Sequence, residues 1–330
     1  MNILVVTTSY PRWPGDPAGN FVAAHVAAMR ALGHTVDVIA PDPDEPLFAH
    51  AGAPDYLEAN PRAFLQAATF SARFLYRVTR APRADLTIAH WLAPSALAAI
   101  THSPLLAIAH GGDIATLART RLLAPTIAIL KRRAKLAFVA SHLQAIAAAP
   151  GLVQPMGIDV EHFARLPRRP TNKLLLVARL VPIKGIATAL AAIQLLPEFH
   201  LTIAGDGPLR GTDTDQVTFL GGVDTSTRDR LLSEAAAVIV PSTILPNGRT
   251  EGSPMIALEA LAAGIPVIGS RVGGLVDLPI THVPPDDPHA LATAIRATLD
   301  RPWSRPDLSA YAWPTVANRL ISYALDRRTA

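Results

Sequence analysis

The chain has 330 residues, of which half are hydrophobic and 17% are charged, and its formal net charge is +4. This length and composition are typical of a globular protein with two domains of about 150 residues each. The absence of cysteine excludes disulfides and thiolate metal sites. No apolar run approaches 18 residues, and no basic leader precedes the first strand, so neither a membrane span nor a signal peptide is expected. We therefore expect a cytoplasmic protein and leave peripheral association with the inner face of a membrane open.

The first half of the chain is typical of a doubly wound α/β domain. A buried strand at 2–7 leads through a proline-bearing loop at 9–19, which contains Pro14 and Pro17, to a helix that ends at Gly33, and a second strand follows at 35–40. Further strands are predicted at 86–90, 105–110 and 137–140, and further helices at 60–80 and 121–135.

Two positions in this half could carry chemistry. The loop before the first helix has no Gly-x-Gly-x-x-Gly pattern, which disfavours a nicotinamide dinucleotide fold. Gly19 and Asn20 lie where backbone amides can face a phosphate, although a simple long turn remains an alternative. His110 ends a buried strand and is followed by Gly111, Gly112 and Asp113, and the glycines permit close approach of a ligand.

The second half repeats the α/β pattern after a polar, proline-bearing linker at 166–172. Strands are predicted at 174–177, 201–204, 217–220, 237–240 and 266–268, with helices at about 185–196, 227–236 and 254–263. A last helix is predicted from Trp313 to Arg327.

Two cations follow the first strand of this half. Arg179 ends the strand region, and Lys184 immediately precedes the next helix. Cations at a strand end beside a helix N-terminus suit a diphosphate and can stabilise the charge on a departing nucleotide without a metal. The alternative is an ordinary pair of surface cations.

The segment from Glu251 to Ile268 is the most informative part of the chain. Two glutamates, Glu251 and Glu259, bracket seven residues in which Ser253 can cap a helix and Pro254 suits the first helical position. The helix is apolar almost all round, so we expect it to be buried, and a buried glutamate needs a partner. A well-capped helix with one satisfied glutamate is the alternative.

This segment resembles the Glu, seven residues, Glu signature of the family 4 retaining glycosyltransferases. The resemblance implies the GT-B fold, an α/β architecture of two Rossmann-like domains facing a cleft. We expect an acceptor-side domain at 1–165, a nucleotide-sugar domain at 166–312, and a C-terminal helix at 313–330 that could return to the first domain.

The same resemblance implies roles for individual residues. Glu251 would contact the donor sugar, Glu259 would hold the ribose hydroxyls, His110 would lie near the reacting oxygens, and Arg179 and Lys184 would bind the diphosphate. Further donor-side residues would be Gly19, Asn20, Gly222, Val223, Ser253, Pro254 and Met255, with Asp113, Asn247 and Arg249 in support. No metal and no cofactor are expected.

The implied function is transfer of a hexosyl group from a nucleoside-diphosphate sugar, with UDP favoured over GDP, to a hydroxyl acceptor such as a polysaccharide or glycolipid intermediate. A GT-B sugar-nucleotide epimerase or hydrolase and a silent nucleotide-sugar-binding subunit remain alternatives. No nucleic-acid partner is expected.

A basic segment runs from Arg62 to Lys135, with eleven lysines and arginines against two aspartates. Either it is a solvated face, or it meets an anionic partner such as a membrane surface. Phe64, Phe70, Phe74 and Tyr76 lie among the arginines, so one helix could present both charge and apolar contact.

Overall fold

The computed structural model describes residues 1–13, 15–16, 18–43, 45 and 64–326, and these divide into two compact units. The first unit contains 1–157 together with the C-terminal segment from Trp313, and the second contains 158–312. Pro14, Pro17, Arg62 and Arg327 lie outside the described residues, as does the side chain of Phe64. Within the described parts of the chain, no helix is both long enough and apolar enough to cross a membrane.

The first unit is built on a parallel sheet with strand order β2-β1-β3-β4-β5-β6. Its strands are β1 (Asn2–Val6), β2 (Thr35–Ile39), β3 (Leu86–His90), β4 (Leu105–Ala109), β5 (Lys135–Phe138) and β6 (Leu152–Val153). Its helices are α1 (Asn20–Ala31), α2 (Phe64–Arg80), α3 (Gly112–Arg119), α4 (Leu123–Leu130), α5 (Ser141–Ala147) and α11 (Trp313–Leu325).

Helix α1 packs on this sheet through an apolar stripe at helical spacing, formed by Val22, His25, Val26 and Met29. The C-terminal helix α11 packs against α1, β3 and β5, which is why the end of the chain belongs to the first unit. Lys135 at the start of β5 donates a hydrogen bond to the Tyr323 carbonyl of α11 at 2.9 Å. The Trp313 ring of α11 stacks on the His25 ring of α1, with their centroids 5.8 Å apart.

The second unit has a parallel sheet of order β12-β11-β10-β7-β8-β9. Its strands are β7 (Lys173–Val177), β8 (His200–Ala204), β9 (Val217–Gly221), β10 (Ala235–Val240), β11 (Val267–Ser270) and β12 (Thr281–Val283). Its helices are α6 (Val160–Ala164), α7 (Ile186–Gln194), α8 (Thr225–Glu234), α9 (Met255–Ala262) and α10 (Pro288–Leu299).

Each sheet has one place where the chain reverses its direction of travel across the sheet. In the first unit this place lies between β1 and β3, and in the second it lies between β7 and β10. Ligands of open α/β sheets bind outside the carboxyl ends of the strands at such a point. The residues that follow β1, β3, β7 and β10 are therefore the candidates for a functional site.

Several predicted boundaries differ from the structure. The helix predicted at 121–135 ends at Leu130, because Lys135 already begins the buried strand β5. Helix α8 ends at Glu234 rather than at 236, because Ala235 and Ala236 belong to β10. The linker expected at 166–172 lies inside the second unit, since the chain crosses between units at Gly157 and Ile158.

The start of α9 was also predicted wrongly. Pro254 is the residue before the helix, with an extended backbone (φ −76°, ψ 101°), and Met255 is the first helical residue. No side chain caps this end, so the expected Ser253 cap does not form. Extended geometry at Pro254 moves the helix start one residue along the chain.

Candidate functional site

An ion pair joins the ends of β7 and β10 in the second unit. Lys184 Nζ lies 2.5 Å from Glu251 Oε2, and the Ser242 hydroxyl donates to the same oxygen at 3.0 Å. The glutamate is buried, and Ser242 is fully buried. The structure thus brings together two of the predicted catalytic residues, and Ser242, two residues after β10, joins them.

Glycines hold the backbone of this cluster. Gly185 has a positive φ of 63°, and a Cβ there would collide with the Pro241 carbonyl at the end of β10. Gly273 has a φ of 52° and lies against the Glu251 carbonyl, which also accepts the Gly274 amide at 3.1 Å. Only glycine tolerates both the conformation and the close approach at these two positions. Lys184 and Glu251 are therefore held by their main chains as well as by each other.

The electrostatic balance of the cluster keeps Glu251 charged. Burial alone would raise the pKa of Glu251. The charge of Lys184, together with hydrogen bonds from Lys184, Ser242 and the Gly252 amide, outweighs burial and holds that pKa below its usual value. The resulting pair is a buried anion and a half-buried cation beside a helix start. Such a pair can exchange partners with an anionic, hydroxyl-rich ligand.

Arg179 lies two residues beyond the end of β7 and is exposed. The neighbouring amides fix the chain there, since Ala178 N–H donates to Ala204 and Leu180 N–H donates to Asp206. Arg179 and Lys184 thus both follow β7, which is one of the two strands between which the strand order of the sheet reverses.

Glu259 lies in a different set of contacts. Arg228 of α8 approaches Glu259 Oε1 at 3.3 Å and Asp229 at 2.9 Å, and His162 Nε2 lies 2.7 Å from Asp229. The guanidinium also stacks over Phe163 at 5.0 Å. Sequence reasoning required a partner for Glu259 but missed Arg228, which lies 31 positions away and carries no motif.

Burial raises the pKa of Glu259 and Asp229 adds to this, while the Arg228 charge acts in the opposite direction without cancelling the increase. The Glu259 side chain keeps 13% of its surface exposed. Arg228 is thus the main group that favours the charged form of Glu259. A ligand hydroxyl could donate a hydrogen bond to the charged carboxylate or accept one from the protonated carboxyl group.

The remaining predicted residues of the second unit lie in turns. The Gly222 amide donates to Asp206 Oδ2 at 2.6 Å, and Val223 follows it before the α8 cap at Asp224. Asn247 is exposed, and its side chain accepts the Arg249 amide at 3.0 Å within a turn. Ser253, Pro254 and Met255 form the entry to α9, where the first amides of the helix have no side-chain cap.

In the first unit, Gly19 and Asn20 form the start of α1. Gly19 has a φ of 63°, its carbonyl accepts the amides of Val22 and Ala23, and a Cβ there would collide with the Ser9 carbonyl. Asn20 is exposed at the first helical position. The amide end of the helix is thereby packed directly on the loop that follows β1.

Asp113 shapes the loop around His110. Its Oδ1 accepts the amides of His110, Gly111 and Ile114 at 2.9–3.1 Å, and its Oδ2 accepts the Leu92 amide at 2.8 Å. The carboxyl group therefore ties the end of β4 to the segment that follows β3. All its described contacts are with the main chain.

His110 belongs to an aromatic cluster that sequence reasoning missed. The rings of Trp91 and Phe21 lie 4.8 and 5.0 Å from it, and His90 Nδ1 lies 2.9 Å from His110 Nε2. Trp91 has a φ of 72°, an uncommon conformation for a bulky residue and one that is concentrated at functional sites. The available signal was that His90 ends a buried strand and Trp91 follows it, much as His110 follows β4.

Two family models match the chain. "Glycosyltransferase Family 4" matches residues 18–162, and "Glycosyl transferases group 1" matches residues 171–301. Together they span most of the chain, which belongs to the family 4, group 1 glycosyltransferases. The resemblance seen in the Glu251–Glu259 segment is thereby confirmed.

Similar curated proteins include glycogen synthase of Mycobacterium tuberculosis, 36% identical over 44% of this chain and 39% of that protein. The match therefore spans well under half the length of that relative. A putative teichuronic acid biosynthesis glycosyltransferase of Bacillus subtilis, TuaC, is 27% identical over 96% of this chain and 94% of its own length.

Solved structures with the same fold include sucrose-phosphate synthase from Thermosynechococcus elongatus, with a TM-score of 0.64 and 22% identity over 98% of this chain and 94% of that one. Anabaena Alr3699/HepE in complex with UDP gives a TM-score of 0.63 and 18% identity over 99% and 96%. The expected GT-B fold is thus confirmed.

Proposed function

We propose that this protein is a retaining glycosyltransferase that moves a hexosyl group from a nucleoside-diphosphate sugar, UDP in preference to GDP, to a hydroxyl acceptor. The observation that carries the proposal is the Lys184–Glu251–Ser242 cluster at the strand ends where the second sheet reverses order. Membership in the glycosyltransferase family supports the reaction class. The similar fold of a protein solved with UDP supports the nucleotide.

In the proposed reaction the second unit binds the donor. The α9 entry and Glu259 hold the nucleotide, Glu251 contacts the sugar, and Arg179 and Lys184 bind the diphosphate. Binding of the diphosphate would draw Lys184 away from Glu251, which frees the carboxylate for sugar hydroxyls. The preformed ion pair of the free protein would thus be exchanged for two contacts with the donor.

The chemical step breaks the bond between the anomeric carbon and the diphosphate oxygen and forms a bond to the acceptor oxygen. The acceptor hydroxyl proton passes to the departing diphosphate. Arg179 and Lys184 would stabilise the negative charge that grows on the diphosphate, which is the largest electrostatic contribution expected from the chain. His110 in the first unit would donate a hydrogen bond near the reacting oxygens.

We propose an acceptor of the polysaccharide or glycolipid type. The support is the near full-length similarity to a putative teichuronic acid biosynthesis glycosyltransferase. The basic segment of the first unit offers cations to an anionic acceptor or an anionic membrane surface. Within α2, however, Phe70 and Phe74 are buried in the core. Apolar contact with a membrane would therefore come from the exposed side chains of Leu75 and Tyr76.

The test begins with the free protein and a panel of UDP, GDP and their sugar conjugates. A ligand that binds the folded state raises the melting temperature, by an amount equivalent to about 2.7 kcal/mol at one hundred times its Kd. We expect the largest increase with a uridine nucleotide. No increase with any nucleoside diphosphate would contradict the proposal.

Product analysis then separates the reaction classes. With the stabilising donor and a panel of sugar acceptors, we expect a new glycosidic bond of the same anomeric configuration as the donor. Free sugar or an epimer formed equally with and without acceptor would favour the epimerase or hydrolase alternative. Binding without turnover under every acceptor condition would favour a silent subunit.

A further inference from the structure

Three histidines form a continuous chain inside the first unit. His25 Nδ1 of α1 lies 3.3 Å from His90 Nε2, and His90 Nδ1 lies 2.9 Å from His110 Nε2. His25 and His90 are fully buried, whereas His110 is half-buried. His90 thus contacts a neighbouring ring with each of its two nitrogens, whereas His25 and His110 each use one, and His110 is the more exposed end of the chain.

All three imidazoles are neutral at pH 7. Burial lowers the pKa of His25 to about 4, and burial together with His25 lowers the pKa of His110 to about 3. Burial, with its two histidine neighbours, also holds the pKa of His90 well below its ordinary value. A neutral imidazole has one N–H and one lone pair, so each contact fixes which nitrogen of the next ring carries hydrogen.

The inner end of the chain sets its direction. His25 Nε2 is buried, and none of the described residues gives it a hydrogen-bond partner, while its ring stacks on Trp313 at 5.8 Å. A buried N–H without an acceptor is rarer in proteins than a buried acceptor without a donor. Hydrogen on His25 Nδ1 avoids this cost, and then His25 donates to His90 and His90 donates to His110.

We propose that His25 and His90 are positioning residues that hold His110 as a neutral imidazole with its hydrogen on Nδ1, so that His110 donates a hydrogen bond and does not accept a proton. This inference rests on the proposed function, in which His110 lies near the reacting oxygens. No described residue offers His25 Nε2 a hydrogen-bond partner that could pass a proton on. The chain of histidines therefore fixes a tautomer and does not carry protons away.

The surroundings of His110 serve the same purpose. Trp91 and Phe21 flank the ring, and Asp113 holds the main chain of His110 and Gly111. A ring held between two aromatic neighbours and contacted at Nε2 has its remaining N–H fixed in direction. Such fixed donors act on developing charge without reorganising.

The direct test is ¹⁵N NMR of the full chain labelled at histidine, with the His110 signals assigned by their loss in His110→Gln. We expect the wild type to carry hydrogen on His110 Nδ1 between pH 6 and 8 with no titration. In His90→Leu we expect a mixture of the two tautomers. Hydrogen on His110 Nε2 in the wild type, or an unchanged spectrum in His90→Leu, would overturn the proposal.

A kinetic test uses two substitutions at His90. An asparagine amide nitrogen can occupy the place of Nδ1 and still donate to His110, whereas leucine cannot. We expect His90→Leu to lower kcat about tenfold, the scale for loss of a partner that orients a functional histidine, with donor KM changed less than twofold. His90→Asn should restore most of kcat, and equal kcat in both variants would contradict the inference.

A matched control is His102, another buried histidine of the first unit, whose Nε2 contacts the Val78 carbonyl at 2.9 Å. His102→Leu should lower the melting temperature as His90→Leu does but leave kcat unchanged. A comparable loss of kcat in His102→Leu would assign the His90 effect to stability alone. If His110→Gln keeps full kcat, the proposed role of His110 fails, while the tautomer measured by NMR still decides the proposal about His25 and His90.

Discussion

The strand-end cluster of the second unit is ionic, whereas that of the first unit is neutral. In the second unit, carboxylates are paired with Lys184 and Arg228. In the first unit, His110 belongs to a chain of three uncharged imidazoles and lies beside two aromatic rings, and the nearby carboxylate of Asp113 accepts main-chain amides in all its described contacts. The difference suggests a division of work. Under the proposed function, the charged groups of the second unit would bind a diphosphate, and the oriented neutral donors of the first unit would position oxygens.

The largest expected effect lies in the ionic cluster. Lys184→Ala and Arg179→Ala should each lower kcat on the order of 100-fold, and more than they raise donor KM, because their charges matter most as the diphosphate leaves. Steady-state kinetics with varied donor checks this, and activity should persist in EDTA. Equal kcat with only a higher KM would show that the cations bind the ground state alone.

Lys184→Ala also leaves Glu251 buried without its cation, so a loss of fold must be separated from a loss of chemistry. The double variant Lys184→Ala with Glu251→Gln should recover melting temperature but not turnover. Lys173→Ala, which removes an exposed cation paired with Glu234 in the same unit, should leave kcat unchanged. A large kcat loss in Lys173→Ala would show that the assay reports stability.

A smaller effect is expected at Arg228. Its removal should raise the pKa of Glu259 further, since Arg228 is the main group that opposes the effect of burial there. Nucleotide affinity of Arg228→Ala should therefore fall about tenfold, the scale of a lost charged hydrogen bond, and should fall more steeply than wild type between pH 7 and 5. Calorimetry at three pH values measures both quantities.

The control for this prediction is Arg230→Ala on the same helix, which removes an exposed arginine paired with Glu234. Its nucleotide affinity should match wild type at each pH. Parallel pH profiles for Arg228→Ala and wild type would argue that Glu259 keeps its charge without Arg228.

We expect acid to lower the stability of the first unit before that of the second. The folded pKa of His25, about 4, lies below the value near 6.5 of an unfolded histidine, so the neutral cluster contributes fully above pH 6.5 and loses stability as pH falls toward 4. Each histidine contributes up to about 1.4 kcal/mol per pH unit in that range. The pKa of Glu251 is lowered, so the Lys184 pair keeps its charge down to pH values below the ordinary glutamate range.

Tryptophan fluorescence reports mostly on the first unit, which contains Trp13, Trp91 and Trp313, while Trp303 is in the second. Urea unfolding followed by this signal should shift to lower urea between pH 7 and 5. His25→Asn, which removes one titrating group, should reduce the shift. Identical midpoints at pH 7 and 5 would contradict neutral burial of these histidines.

The smallest effect concerns the basic segment. Each cation near an anionic bilayer is worth about 1 kcal/mol, and salt screens it. Arg73 and Arg77 already pair with Glu45 and Asp42, and Phe70 and Phe74 point into the core, so we expect only weak, salt-sensitive binding to anionic vesicles. Replacing Arg73, Arg77 and Arg80 with serine should abolish sedimentation with vesicles at low salt and leave nucleotide affinity unchanged.

The comparison arm replaces three exposed arginines of the second unit, Arg165, Arg230 and Arg296, with serine. Equal loss of vesicle binding in both triple variants would reduce the effect to net charge. No sedimentation of the wild type at low salt would leave the segment as a solvated face.

The ionic cluster could be anticipated from the sequence because its residues lie in short, local patterns. Lys184 lies in the segment between β7 and the next helix, and Glu251 lies in the loop between β10 and α9. The order of elements along the chain therefore predicts that both lie beyond strand ends. Their mutual contact, across 67 positions, required only that β7 and β10 be neighbours. The start of α9 was predicted one residue too early because Pro254 adopts an extended conformation, which its sequence position did not exclude.

The neutral cluster could not be anticipated in the same way. His25 lies on the apolar stripe of α1 and looks like any core position, and it meets His90 across 65 residues. Likewise, Arg228 of α8 meets Glu259 of α9 across 31 residues. Contacts of this kind depend on side-chain directions in the folded units, which strand and helix periodicity does not specify.

Calorimetric titration of the nucleoside diphosphate that gives the largest thermal shift tests the division between the units most directly. The variants are Glu259→Ala in the ionic unit and His110→Ala in the neutral unit. We expect Glu259→Ala to lose roughly 1–3 kcal/mol of binding free energy, the scale of a hydrogen bond to a charged group, and His110→Ala to bind like wild type. Unchanged affinity in a folded Glu259→Ala, or an equal loss in His110→Ala, would contradict the account.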